Sequence, residues 1–434
     1  MSYLDDANYI RGLAKKNNEL FGDSLPMIAS ENVLSPMCME MLISDFHGRY
    51  AEGHPGKRYY QGCKIFDDVE TKGVELAKKL FNCSFANIQA TSGTVANMAV
   101  FKALAKPGER VTVLPTAAGA HISHGKIGGI GVRGLDTVEF PFDKENMNLD
   151  IEGSKKVIRE AKPKFALFGQ SVFLFPTPLE ELAEVSHELG ARVVYDAAHV
   201  LGLIAGGKFQ DPLREGADVM MGSTHKTLPG PQGGVILSDV KADSEINEKF
   251  LKAIDFAVFP GVTSSYHLHH CAAKAIAFAE HLEFGREYAG QMVSNAKALA
   301  QGLHERDFNV LGEKLGFTES HQVVVQIGEV GEAKGRWAAQ VLEDAGIICN
   351  MNMVPEDTSA LNPSGLRLGV PELTRMGMKE KEMGQVAEFY KRALIDLEDP
   401  TKVKEDVRAF KQDYRIMKFC FVDNWDAYRY NELF

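Results

Sequence analysis

ARVVYDAAH (191–199) and DVMMGSTHK (218–226) are short apolar runs that stop abruptly on polar residues able to do chemistry. A strand buried on both faces of a parallel sheet reads this way, rich in β-branched and aliphatic residues and without polar alternation. ERVTVLP (109–115), KFALFGQ (164–170) and GGVILSD (233–239) have the same form. Between KFALFGQ and ARVVYDAAH lies PLEELAEVSHELG, which has helical periodicity from Leu179 and a glycine, Gly190, placed to end it. Alternation of this kind from about residue 75 to 240 predicts a mostly parallel sheet with helices on both faces.

On either side the pattern changes. Residues 4–20 predict an amphipathic helix, and 266–304 a long helical connection. After about 305 the pattern restarts, with strands near 307–311 and 321–327 and helices near 333–345 and 378–397. The expected organisation is α/β: an N-terminal arm or helix over 1–40, a large domain over 41–300 and a smaller C-terminal α+β domain over 301–434. The tail from Lys404 is expected to be partly helical, with its aromatic residues packed against another part of the chain.

Composition narrows the function classes. The 434 residues are 45% hydrophobic, enough for a large core. Asp and Glu total 59 against 48 Lys and Arg, a net charge of −11 that disfavours general binding to nucleic acid or anionic membrane. No uncharged apolar run reaches the roughly 18 residues of a membrane span. The N-terminus lacks the basic-then-apolar order of a signal peptide. Six scattered cysteines without a CxxC pair read as reduced thiols, and the expected location is the cytoplasm.

Ligands of open parallel sheets sit at the carboxyl ends of the strands. One strand here ends at Asp196, with His199 just beyond; another runs into Ser223, Thr224, His225 and Lys226; a third ends at Gln170 and Ser171. Singly, a strand-end Asp and a nearby lysine have ordinary explanations, as a helix cap and a surface cation. Together they fit a pyridoxal phosphate site, in which the lysine forms an imine and the acid keeps the pyridine nitrogen protonated. Upstream, Ser92, Gly93 and Thr94 fall where a helix N-terminus would offer free amides and its dipole to a phosphate, although a plain Ser cap has the same appearance. Gly129-Ile130-Gly131-Val132-Arg133-Gly134 satisfies GxGxxG. A loop precedes it and a strand-like segment follows, so no dinucleotide site is expected. His267, His269 and His270 lack a carboxylate at a matching offset, and polar packing at a subunit contact is expected there in place of a metal.

RYAEGHPGKRYYQG (49–62), ATSGTVAN (90–97), HISHG (121–125), YDAAHVLGLIAGG (195–207), GSTHKTLPGPQGG (222–234) and SGLRLG (364–369) together resemble serine hydroxymethyltransferase, collinearly from Leu25 to Tyr390. YQGCK, TESHQV and NPSGLRLG resemble its archaeal branch most. The resemblance implies a fold-type I pyridoxal phosphate transferase of the aspartate aminotransferase architecture. It implies a homodimer or a dimer of dimers with interfacial active sites, and reversible transfer of the hydroxymethyl carbon of serine to tetrahydrofolate or tetrahydromethanopterin, giving glycine. By motif, Lys226 is implied as the imine-forming lysine and Asp196 as the pyridine-nitrogen partner. His121 would stack on the ring and His199 would lie at its hydroxyl side. Ser92, Gly93 and Thr94 would hold the phosphate with His225 nearby, and Ser171 would face the cofactor. Arg367 would take the amino-acid carboxylate, supported by Ser30. Glu52, with Tyr50 and Tyr60, would reach the serine hydroxyl and the pterin from the neighbouring subunit.

Departures from the family pattern are local. FPG is followed by Val262-Thr263-Ser264-Ser265-Tyr266 in place of QGGP. Gln232 replaces the arginine usual in GPRGG, Val370 a common threonine and Phe173 a frequent tyrosine. None removes a residue that the cofactor chemistry requires. An aldolase of threonine-type β-hydroxy amino acids, or an α-methylserine hydroxymethyltransferase, would share Lys226, Asp196 and Arg367. Dependence on the pterin separates the transferases from the aldolase.

Overall fold

The computed structural model describes residues 2–355 and 357–433. Seven strands form the central sheet, in the order Phe85–Asn87, Gly234–Ser238, Val219–Ser223, Arg192–Asp196, Phe165–Phe168, Arg110–Val113 and Asp136–Glu139. The last five run parallel, with Tyr195 opposite both Phe168 and Met220. Gly234–Ser238, expected only as another buried strand, runs antiparallel to both of its neighbours. Its turn from Lys226 to Gly233 is too short for a crossover helix, so the chain can only reverse.

Both faces of the central strands are dry. Val193, Tyr195, Phe168, Met220 and Leu237 join one buried cluster, whereas Val194, Leu167, Met221 and Ile236 join another. The apolar side chains of these central strands therefore meet core on either face, as their unbroken apolar runs require, whereas the edge strand Asp136–Glu139 leaves both of its end residues exposed. Helices Gly93–Leu104 and Glu245–Phe256 cover the second face through Ala96, Ala99, Phe250 and Ile254. Lys64–Phe81 and the 37-residue helix Leu268–His304 close the first. Leu179–Glu188 is followed by Gly190 at φ +71, the left-handed stop read from the sequence.

The long helix leads to a four-stranded antiparallel sheet in the order Asn309–Val310, Gln322–Gln326, Gly365–Gly369, Asn350–Asn352. Helix Lys334–Asp344 packs on it, and Glu380–Leu394 packs in turn on Lys334–Asp344 and on the long helix. Residues 25–26 lie within the expected arm and pair in parallel with Ile347–Ile348 of the C-terminal region. The first buried cluster continues through Val323, Val325 and Leu366, joining the two sheets. Beyond helix Pro400–Lys411 the tail buries Met417, Cys420 and Tyr428 against Phe21, Val33 and Met39. Residues 129–133 form a single short helix followed by the strand Asp136–Glu139, the reverse of the strand-loop-helix order of a dinucleotide site. Among the described residues no helix is long and apolar enough to cross a membrane.

Candidate active site

The parallel strands deliver their polar ends to a cavity of about 750 Å³. All of the site residues expected from the sequence line it except Tyr50, Glu52 and Tyr60. Ser92 starts helix Gly93–Leu104 with its Oγ accepting from the Val95 amide at 3.1 Å. A Cβ on Gly93 would lie 2.3 Å from Ser223 Oγ, so only glycine lets this helix start rest on the end of the Ser223 strand. Two distant segments, 92–94 and 223–226, meet through that contact.

Asp196 is buried at the end of its strand. Its Oδ2 accepts from Asn97 Nδ2 at 2.7 Å and His124 Nε2 at 2.8 Å, and its Oδ1 from the Ala198 amide at 2.9 Å. Burial pushes the carboxyl pKa up, but His124, the Ala198 amide and Asn97 together hold it well below the ordinary carboxylate range. Lys226 is 8% exposed, and its pKa falls to about 8 through burial, with Asp196 opposing and Arg367 reinforcing the fall. Asn32 Nδ2 donates to the Lys226 carbonyl at 2.8 Å and so holds that backbone.

His121 and His225 are each pushed down to about 4, chiefly by burial. His121 Nδ1 accepts from the Ser123 amide at 3.2 Å. His225 Nδ1 is buried without a hydrogen-bond partner. Arg367 projects from Gly365–Gly369, donating to the Ser171 carbonyl at 3.0 Å from one amino group and to Asn350 Oδ1 at 3.4 Å from the other. Its Nε is buried and unpaired, and burial lowers the guanidinium pKa to about 10. An unpaired buried cation facing a cavity is costly unless an anion completes it.

Glu52, Tyr50 and Tyr60 lie outside this cavity. Glu52 Oε1 accepts from Ser264 Oγ at 2.6 Å, and the two tyrosine rings are 5.3 Å apart. Tyr50 and Tyr60 are 55% and 44% exposed. Ser264 belongs to the departing FPGVTSSY segment. The loop carrying Glu52 is pinned by Arg58, whose guanidinium donates to the Ala51 and Gly53 carbonyls at 2.7 Å and pairs with Asp67 and Glu70. His270 Nδ1 donates to the Gln232 carbonyl at 2.6 Å, with the His269 ring 4.5 Å away. Among the described residues there is no group of three or more His, Cys, Asp or Glu side chains placed to hold a metal ion.

Sequence reasoning missed Asn97, His124, Asn32 and Arg58. His124 and Asn97 were visible within the HISHG and ATSGTVAN blocks. No local pattern says that either would reach a carboxylate 72 or 99 residues away.

Residues 5–390 match the family model for serine hydroxymethyltransferase. The chain belongs to the serine hydroxymethyltransferase family. It is similar to serine hydroxymethyltransferase of Pyrococcus furiosus, 51% identical over 423 residues that make up 97% of this chain and 98% of that one. The enzyme of Methanocaldococcus jannaschii is 51% identical over 434 residues, 99% of each chain. A crystal structure of L-threonine transaldolase from Pseudomonas fluorescens, in its internal aldimine state, superposes with a TM-score of 0.88 at 28% identity, covering 99% of this chain and 96% of that one. The protein is accordingly a fold-type I, pyridoxal-phosphate-dependent transferase that moves the one-carbon group between serine and glycine, with a lysine imine holding the cofactor.

Proposed function

We propose that Lys226 is the cofactor lysine and that the family's reaction runs in the 750 Å³ cavity between Lys226, Asp196 and Arg367. The observation that carries this reading is that Asp196 at a strand end, Lys226 just beyond another and Arg367 in the middle of a strand of the second sheet line one cavity with charges of both signs. The cavity suits the cofactor: an ionised carboxylate for a ring nitrogen, helix N-terminal amides at Ser92–Thr94 for a phosphate, and an orphaned polar atom on His225. When bound, pyridoxal phosphate supplies the electron sink for bond breaking at the amino-acid Cα.

The chain's own residues do the rest. Asp196, held ionised by His124 and Asn97, keeps a proton on the ring nitrogen. Lys226, with its pKa lowered to about 8, is about one-tenth neutral at pH 7, far more than an ordinary lysine, as an attacking amine requires. Arg367 binds the substrate carboxylate through its free donors, with Ser30 lining the same cavity. His121, Ser171, His199 and His225 line the same cavity and would contact the cofactor.

Glu52, Tyr50 and Tyr60 are read as serving a neighbouring subunit's cavity, with Glu52 moving the proton at the serine hydroxyl. Their absence from the lining of this chain's own cavity favours a homodimer. So does helix Tyr3–Gly22, which leaves Tyr3, Leu4, Tyr9 and Ile10 largely exposed. Six unpaired cysteines suit a reducing cytoplasm. The one-carbon carrier is read as a reduced pterin.

The test is the visible spectrum of the purified protein beside Lys226→Ala, then with glycine plus tetrahydrofolate or tetrahydromethanopterin. A yellow band absent from the variant supports Lys226. A red-shifted band appearing with one pterin only identifies the carrier. A colourless wild-type protein after supply of the cofactor refutes the site.

A further inference from the structure

Gln322 stands where three parts of the chain meet. It begins the strand Gln322–Gln326 of the C-terminal sheet and is completely buried. The Phe173 amide can only donate, and it meets one end of the Gln322 side chain at 2.9 Å, so that end is the oxygen. The other end is the amino group, with two hydrogens to place. Three atoms lie within its reach: the Ser171 carbonyl at 3.0 Å, His199 Nδ1 at 3.0 Å and His321 Nε2 at 3.3 Å.

His321 removes itself from the choice. Its Nε2 lies 3.2 Å from the Ala29 carbonyl, which can only accept, so that nitrogen carries a proton and donates there. Its Nδ1 is buried without a partner, the state of a bare lone pair and not of a stranded N–H. The two Gln322 hydrogens therefore go to the Ser171 carbonyl and to His199 Nδ1. To accept one, His199 Nδ1 must be unprotonated.

We propose that Gln322 is a positioning residue that fixes His199 as the neutral tautomer carrying its proton on Nε2, the nitrogen left to the cofactor cavity. A ring bonded in this way presents a donor to the cavity, suited to an anionic oxygen on the bound group. Burial, together with the Lys226 and Arg367 cations, also pushes His199 well below the ordinary histidine range, in agreement with a neutral ring. The Ser171 carbonyl that takes the other Gln322 hydrogen also accepts from Arg367. One amide thus orients groups on both the cofactor and the carboxylate sides. A glutamine that merely filled space would leave the tautomer free.

The tautomer follows from hydrogen bonding alone, and only its consequence rests on His199 being a cofactor contact. The experiment is long-range proton–nitrogen correlation NMR on holoenzyme labelled with 15N-histidine. His199 is assigned by the signals that vanish in His199→Asn. The expected wild-type pattern is a single neutral form, Nε2 protonated and Nδ1 bare, unchanged across the neutral pH range. Gln322→Glu, whose carboxylate can only accept, should move a proton onto Nδ1. Gln322→Leu should lose the single-tautomer pattern. A wild-type His199 with a proton on Nδ1 overturns the proposal, as does Gln322→Leu with an unaltered pattern. If either variant fails to fold, the wild-type spectrum still decides. His199 signals that do not move when the cofactor is removed would refute the cofactor contact while leaving the tautomer assignment standing.

Discussion

A carboxylate as deeply buried as Asp196 would ordinarily take up a proton, because burial disfavours charge. Three donors from three segments prevent it: Asn97, His124 and the Ala198 amide. Asp196→Asn keeps the shape and removes the charge, so turnover should fall by about 100-fold or more, measured at saturating cofactor. His281 and His321 show the opposite effect, with burial pushing them down to about 4 and about 3. In the unfolded chain each titrates near 6.5. From about pH 6.5 down to pH 4 the unfolded state therefore binds protons that the native state refuses. Each such histidine should lower stability by roughly 1.4 kcal/mol per pH unit in that window, with no penalty above it. Urea unfolding of wild type and His281→Gln at neutral and acid pH checks this, and the variant should have the shallower acid loss.

At the scale of elements, the decisive contact is the helix start at Gly93 against the strand end at Ser223. In Gly93→Ala the new Cβ meets Ser223 Oγ at 2.3 Å with Ser223 Cβ at 3.4 Å behind it. The substitution should cost about 1–3 kcal/mol of stability and weaken cofactor binding by moving the phosphate amides. Removing the hydroxyl in Gly93→Ala/Ser223→Ala should recover a large part of both losses. Denaturation midpoints and cofactor dissociation constants of the two single variants and the double variant measure the coupling. Much at this scale was legible. Residues 165–168, 192–196 and 219–223 are strands where unbroken apolar runs require them, and Asp196 and Lys226 stand at or just beyond strand ends as read. The reversed direction of Gly234–Ser238 does not show in its own residues, because an apolar run is the same in either direction; only the short connection after Lys226 carries it. Asn97, His124 and Gln322 were not legible, because their partners are remote in the chain.

At the scale of the whole molecule, the cavity draws on both sheets, on the N-terminal helix through Asn17, Asn18 and Phe21, and on the tail through Ala427 and Tyr428. Tyr428 donates to Glu372 at 2.8 Å and accepts from the buried Lys411 at 2.8 Å, which ties the tail to the cavity wall. Glu52, absent from the lining of this chain's cavity, is the residue whose proposed role requires a second copy. Mixing inactive Glu52→Gln with inactive Lys226→Ala after reversible dissociation should restore roughly a quarter of wild-type activity. Half of the dimers would then be hybrids, each with one intact site. Activity that stays absent, with hybrids demonstrated by mass, would place Glu52 and Lys226 in the same subunit's site.

The chain's own order determined the α/β alternation, the phosphate-type helix start and the strand-end Asp and Lys. Each depends on periodicity or position within a few residues, and such information is local. Folding alone determined which donors keep Asp196 charged, which nitrogen of His199 faces the cavity and that the last thirty residues reach the site. These depend on side chains tens to hundreds of residues apart entering hydrogen-bond distance, and no spacing along the chain encodes a distance in space.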